Sequence, residues 1–224
     1  MRNVVGIDVG GTKVAAQLLG PDGLGDPHCQ QPTKLDSTDA LIDQFCALVE
    51  EAAGGTPLDA VGIGVPSIVR FATGEIAAST NIPLQGIGLR EVLGTRLGVP
   101  VYVDNDATVA ALAEAHDKDL NLVSANLVML TVGTGIGGGI VIDGHIFRGG
   151  SGGAGELGMT LIGLAIGEGV EDDVPQPVER FPQPGALETL AAGHAIERWA
   201  RGAAQQAPDS ALGRLAASGR QVSG

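Results

Sequence analysis

The residues of this sequence best suited to chemistry fall in four short clusters and one further acid. Asp104-Asn105-Asp106 stands between an apolar run ending at Val103 and an Ala- and Leu-rich segment from Ala107 to Ala115. An aspartate there is either a helix cap accepting backbone N–H bonds, or a carboxylate at a sheet's edge that the helix dipole keeps ionised as a general base. Two glycine turns follow β-branched runs: Gly10-Gly11-Thr12 after Ile7-Asp8-Val9, and Gly133-Thr134-Gly135 after Leu130-Thr131-Val132. Glycine lets backbone N–H groups approach a phosphate chain, although one such turn alone is equally a plain hairpin. Glu156, in Gly155-Glu156-Leu157-Gly158, and Glu188, at the mouth of a helix beginning near Ala186, are carboxylates that singly read as solvated acids.

Several familiar chemistries are excluded. Gly133 to Gly138 satisfies the dinucleotide pattern G-x-G-x-x-G, but Gly139-Ile140-Val141-Ile142 continues as strand where that fold requires a helix. No G-x-x-x-x-G-K-[ST] occurs, because Lys13 directly follows Thr12. His28, His116, His145 and His194 show no metal-ligand spacing and suit solvent-facing positions. Cys29 and Cys46 are too few for a disulfide framework or a four-thiolate zinc site, which fits a reduced, cytoplasmic protein.

The elements that must position these residues alternate between strand and helix. Residues 3–9 and 13–19 form a hairpin, and Leu41, Ile42, Phe45, Leu48, Val49 and Ala52 recur at helical spacing from Ser37 to Ala53 before Gly54-Gly55 ends the helix. Val61 to Val65 is a buried strand closed by Pro66, and Thr73-Gly74 turns between two short strands. A helix marked by Leu89, Val92, Leu93 and Leu97 precedes a strand from Val99 to Val103 and the helix from Ala107 to Ala115. Beyond Leu120, Val128 to Val132 and Ile140 to Ile142 are predicted as buried strands around the second glycine turn. Gly149 to Gly158 is loop-like, residues 163–185 are rich in Gly, Pro and acid, and helices are expected from Ala186 to Gln206 and from Ser210 to Ala217. This pattern indicates an α/β protein with a domain over 1–118 and a second, incomplete one over 119–224.

Composition narrows the partners. With 26 acidic residues against 13 basic, the net charge of -13 repels nucleic acid and anionic membranes. An apolar content of 44% is too high for a disordered chain, and the 36 glycines have no collagen period. The uncharged stretch between Asp119 and Asp143 is long enough to span a bilayer, but its asparagines, serine, threonines and glycines oppose a lipid-exposed helix.

Taken in order, Asp8-Val9-Gly10-Gly11-Thr12-Lys13, Asp104-Asn105-Asp106-Ala107, Val132 to Gly139 and Gly155-Glu156-Leu157-Gly158 resemble the ROK family (repressor, open reading frame, kinase), most closely its bacterial ATP-dependent glucokinases. The resemblance runs from residue 3 to about 200. It implies the actin-like ATPase (ribonuclease H-like) fold, two α/β domains closing around a cleft, ATP and Mg2+ as cofactors, and a hexose, foremost glucose, phosphorylated at its 6-hydroxyl to glucose 6-phosphate for glycolysis. It further implies Asp8 as the magnesium-holding acid, Gly10, Gly11, Thr12 and Lys13 as the first phosphate loop, and Gly133, Thr134 and Gly135 as the second. Asp106 then matches the catalytic base, and Asn81, Asn105, Glu156 and Glu188 match the sugar contacts. A homodimer is implied by family alone.

The chain departs from the family at Met159, which follows Gly158 where a histidine is usual, and at Phe181 to Ala186, where the zinc cysteines are absent. No structural zinc is therefore expected, and Glu188 should lack its usual staple. The chain also stops before the family's adenosine loop. Alternatives within this resemblance are a fructose, mannose or N-acylmannosamine kinase, an inactive sugar-binding remnant, and a ROK-type regulator.

Overall fold

Three parallel strands and one hairpin form the frame that carries the first of these clusters. The computed structural model describes residues 2–21, 23–25, 28–162 and 185–218. In chain order the elements are β1 (Val4–Val9), β2 (Lys13–Gly20), β3 (Gly23–Leu24), β4 (Cys29–Pro32), α1 (Thr38–Ala53), β5 (Ala60–Val65), β6 (Ile68–Arg70), β7 (Glu75–Ala78), α2 (Leu89–Leu97), β8 (Val101–Asn105) and α3 (Asp106–Glu114). There follow β9 (Leu127–Val132), β10 (Ile136–Ile142), β11 (His145–Ile146), a 3-10 turn (Leu157–Met159), α4 (Leu187–Ala191), α5 (Gly193–Gln206) and α6 (Ala211–Ala217). Compactness divides the chain into one unit of Met1–Leu127 with Ile140–Ala154, and another of Val128–Gly139 with Gly155–Gly224.

In the first unit the sheet order is β3-β2-β1-β5-β8, with β4 also beside β2. β1 pairs antiparallel with β2 across the Gly10-Gly11-Thr12 turn, and parallel with β5, which in turn pairs parallel with β8. Because side chains alternate across a strand, Val5, Ile7 and Val9, Val61, Ile63 and Val65, and Val101 and Val103 share one face. That face is buried with Leu41, Phe45 and Leu48 of α1 and Leu89 and Leu93 of α2 in one hydrophobic cluster. Each such side chain stabilises the fold by roughly 1.5–3 kcal/mol relative to leaving it exposed. Helix α1 starts where the Ser37 side chain accepts the Ala40 N–H, and it ends at Gly54, whose φ of 55° suits a residue without Cβ.

Three sequence expectations shift. The strand expected to stop at Val103 continues to Asn105, because Asn105 still pairs with Val65 of β5. The helix therefore begins at Asp106, with Asn105 as its cap. In the second unit, β9 is not a buried strand: Val128, Leu130 and Val132 are all exposed, while Ile136, Gly138 and Gly139 of β10 are buried. Nor is there a single helix from Ala186 to Gln206. The chain breaks at Ala192, whose backbone is extended (φ -73°, ψ 167°), and this frees the Gly193 N–H to donate to the Gly133 carbonyl at 2.8 Å. α6 forms as expected, with Ser210 accepting the Gly213 N–H. The Gly-, Pro- and acid-rich stretch, apart from Gly185, lies outside the described residues, as does the segment expected to lack zinc cysteines, apart from Gly185 and Ala186.

Candidate functional site

β1, β5 and β8 run the same way, so their carboxyl ends share one sheet edge, the place where open α/β sheets bind ligands. That edge receives Gly10-Gly11-Thr12 after β1, Pro66-Ser67 after β5 and Asp106 after β8.

The Asp104-Asn105-Asp106 triplet divides its work. Asn105 is the helix cap: its Oδ1 accepts the Thr108 N–H at 2.9 Å, and its Nδ2 donates to the Ser67 carbonyl at 3.4 Å. Asp106 is thereby released from capping and starts α3 half-buried, with Oδ1 accepting the Ala107 N–H at 2.8 Å. Burial pushes its carboxyl above the usual carboxylate range; the Ala107 hydrogen bond works against this, and the charge of Asp8 adds to it. A carboxylate raised in this way is a better proton acceptor than an ordinary aspartate.

Gly64 of β5 makes this placement possible. A Cβ built on it would lie 2.9 Å from Val109 Cγ2 and 3.2 Å from the Asp106 Cα, so only glycine lets the start of α3 sit against β5. Ser67 extends the arrangement. Its hydroxyl donates to Ser79 Oγ at 3.0 Å, and Ser79 Oγ donates to the Ile82 carbonyl at 2.8 Å, which ties the loop carrying Asn81 to the same edge. Asn81 itself is exposed, and its Cβ would be 3.9 Å from a side chain placed at Gly11.

The first glycine turn is closed by the Gly10 N–H donating to the Lys13 carbonyl at 2.8 Å. Thr33 braces it from outside, its hydroxyl donating to the Gly10 carbonyl at 2.7 Å and its N–H to the Thr12 carbonyl at 3.0 Å. Gly11, Thr12 and Lys13 are exposed at the tip, and Asp8 is exposed at the end of β1.

The second turn, in the other unit, is braced differently. The Gly133 N–H donates to the Gly135 carbonyl at 2.9 Å, and Glu188 Oε2 accepts the Ile136 N–H at 2.7 Å. Gly193 holds the Gly133 carbonyl, and His194 Nδ1 lies 2.6 Å from the Thr134 carbonyl oxygen. Thr134 stands exposed at the crest. Glu188 is thus held at the glycine turn by a backbone amide, a support the sequence did not reveal. Glu156 is half-buried just before the 3-10 turn, in the same unit.

Among the described residues no three His, Cys, Asp or Glu side chains gather as a metal cage. Magnesium carried on nucleotide phosphates needs only one or two carboxylates, its other ligands being phosphate oxygens and water. The exposed Asp8 carboxylate beside the first glycine turn fits that donor set.

Gly64, Ser67, Ser79 and Thr33 were missed by sequence reasoning, since their roles depend on partners far along the chain. The one local signal was the glycine in Val61-Gly62-Ile63-Gly64-Val65, which a strand otherwise disfavours.

This mixed α/β architecture, with a glycine hairpin after β1 and an acid opening the helix after β8, is the actin-like ATPase fold seen in sugar kinases. The chain belongs to the ROK family, whose model matches residues 4–223. It is 33% identical over 216 residues to glucokinase of Streptomyces coelicolor, covering 94% of this chain and 63% of that one. Among solved structures it resembles a ROK hexokinase from Thermus thermophilus (36% identity, TM-score 0.70, 95% of this chain and 72% of that one). It also resembles a ROK glucokinase from Streptomyces griseus in complex with glucose and AMPPNP (30% identity, TM-score 0.73, 96% of this chain and 65% of that one). The chain thus spans under two thirds of the glucokinase from S. coelicolor. Other relatives are N-acetyl-D-glucosamine kinases and xylose repressors. Among the described residues no helix is long and apolar enough to cross a membrane.

Proposed function

We propose that the protein is an ATP-dependent hexose kinase that phosphorylates glucose at the 6-hydroxyl. The observation that carries this reading is Asp106: half-buried at the carboxyl end of β8, released from capping by Asn105, and raised in pKa by burial with Asp8 contributing. Asp106 would take the proton of the 6-hydroxyl as that oxygen attacks the terminal phosphorus of ATP, the bond from that phosphorus to the bridging oxygen breaks, and ADP leaves with the bridging electrons. Phosphoryl transfer asks a protein chiefly for positioning and charge stabilisation. The exposed tips at Gly11-Thr12 and Thr134 offer backbone N–H groups for phosphate oxygens, and Lys13 adds a positive charge at the first. Magnesium, when bound, spreads the negative charge of the triphosphate, and Asp8 is the carboxylate that would hold it. Asn81, Asn105, Glu156 and Glu188 are assigned to the sugar hydroxyls. A carboxylate can accept from two hydroxyls, so an analogue lacking one would leave it unpaired.

The test is coupled detection of the sugar phosphate across a panel of hexoses with ATP and Mg2+, comparing the protein with Asp106→Ala. We expect glucose to be turned over, and the variant to lose about 10²–10⁴-fold in kcat while binding sugar. Equal turnover by both proteins would sink the assignment. Tight sugar binding with no turnover on any hexose would favour a regulator or inactive remnant, a reading that the likeness to xylose repressors keeps in play.

A further inference from the structure

Arg148, just beyond β11, has no part in the chemistry above, yet it makes the most enclosed ion pair among the described residues. Its Nε and one terminal nitrogen both donate to Asp104 Oδ2, at 3.0 and 2.6 Å. The guanidinium carbon lies 3.6 Å from the centre of the Phe71 ring, a cation–π stack that holds the guanidinium plane. Phe71 is in turn fixed by Arg90 of α2, which donates to the carbonyls of Phe71 and Ala72. Asp104 is only 7% exposed, and its other oxygen, Oδ1, accepts the Asn105 N–H at 3.0 Å.

A buried ion pair is weak evidence for stability, since desolvation offsets much of the attraction. What this pair does supply is direction. With Oδ2 occupied by two donors from one rigid fork, Oδ1 is turned onto the Asn105 amide. That fixes the last peptide of β8, and the residue so held caps α3 and immediately precedes Asp106.

We infer that Arg148 is a positioning residue: through Asp104 and the Asn105 amide it sets the aim of the Asp106 carboxylate. The kinetic part of this inference rests on the kinase reading; the structural part does not. The full chain would be compared with Arg148→Met, Arg148→Lys, Asp104→Asn and the double variant Arg148→Met/Asp104→Asn. Each would be assayed for kcat, for hexose KM and for hydrogen exchange at individual amides.

Arg148→Met should lower kcat about 10- to 100-fold with KM little changed, as expected for a small misplacement of a reacting group. Exchange at the Asn105 and Thr108 amides should quicken while Phe45 and Leu48 in α1 keep their protection. Arg148→Lys should recover part of both losses, and the double variant should be no worse than Arg148→Met, because each change removes the same pair. The inference is overturned by unchanged exchange at Asn105 and Thr108, by exchange that quickens equally in α1, or by an unchanged kcat where Asp106→Ala shows its expected loss. Should the unaltered protein phosphorylate no hexose, the kinase reading fails by that result, and the exchange pattern alone decides the role of Arg148.

Discussion

In the first unit, Leu41, Phe45, Leu48, Leu84, Leu89 and Leu93 are fully buried around the sheet, whereas the described part of the second unit buries Ile136 and four alanines, Ala186, Ala192, Ala195 and Ala204. The first unit thus holds its elements apart with large side chains that interdigitate. The second brings backbone against backbone. A Cβ at Gly158 would run into the Ile136 carbonyl, one at Gly193 would lie 2.9 Å from the Gly133 carbonyl, and one at Gly138 would lie 2.7 Å from Leu157 Cδ1. Asp106 therefore starts a helix seated on a sheet with a large apolar core, while the turn at Thr134 is braced by close backbone contacts and by the Glu188 and His194 side chains. The two designs should fail in different ways.

The largest expected effect is Phe45→Ala, which should cost about 3–5 kcal/mol in denaturant unfolding, as large-to-small changes in a packed core do. A loss under about 1 kcal/mol would mean that this core does not hold the first unit. Next comes Gly158→Ala. Overpacking at a backbone contact costs roughly 1–3 kcal/mol. Here the damage should be confined: amide exchange should quicken at Ile136 and residues 155–162 while α1 stays protected, and equal quickening in both units would erase the contrast. Ser37→Ala should cost about 1 kcal/mol by removing the α1 cap. The helices α4 and α5 have no side-chain cap to lose, their cap positions being Ala186 and Ala192.

The smallest effect is a stability difference that grows with pH. The folded state holds the Asp106 proton more tightly than the unfolded chain does, because burial raises its pKa. Stability from this group is therefore complete below the unfolded carboxylate value and is lost as pH rises through the raised folded value. Asp106→Asn escapes that loss, so thermal melts should show it the more stable at neutral pH and level with the parent in acid. A gap independent of pH would contradict the burial of this carboxylate.

Much of the first unit was legible from local pattern. All six apolar residues that mark the first helix by their spacing are buried, and Gly54 ends it in the left-handed conformation. What escaped depended on partners distant in sequence. β8 runs two residues past Val103 because Val65 pairs with Asn105, and the long helix is interrupted at Ala192, where the Gly193 amide turns to the Gly133 carbonyl. The apolar residues Val128, Leu130 and Val132 read as buried because hydropathy does not say which face is covered. At the candidate site, residue pattern alone left a cap and a base as alternatives in the Asp104-Asn105-Asp106 triplet. The cap does exist, but it is Asn105, and the aspartate beside it is the one that burial and Asp8 perturb. Arg148 gave no signal at all, since its partner Asp104 lies in another motif.

Gly62 and Gly64 sit in the same short strand, on either side of Ile63, and look interchangeable on paper. Nothing lies within 4 Å of a side chain added at 62, whereas at 64 the first carbon would press on the Cα of Asp106. A side chain at the first position would find room, whereas one at the second would have to displace the start of α3, so an engineer diversifying this strand should find one site permissive and its neighbour closed.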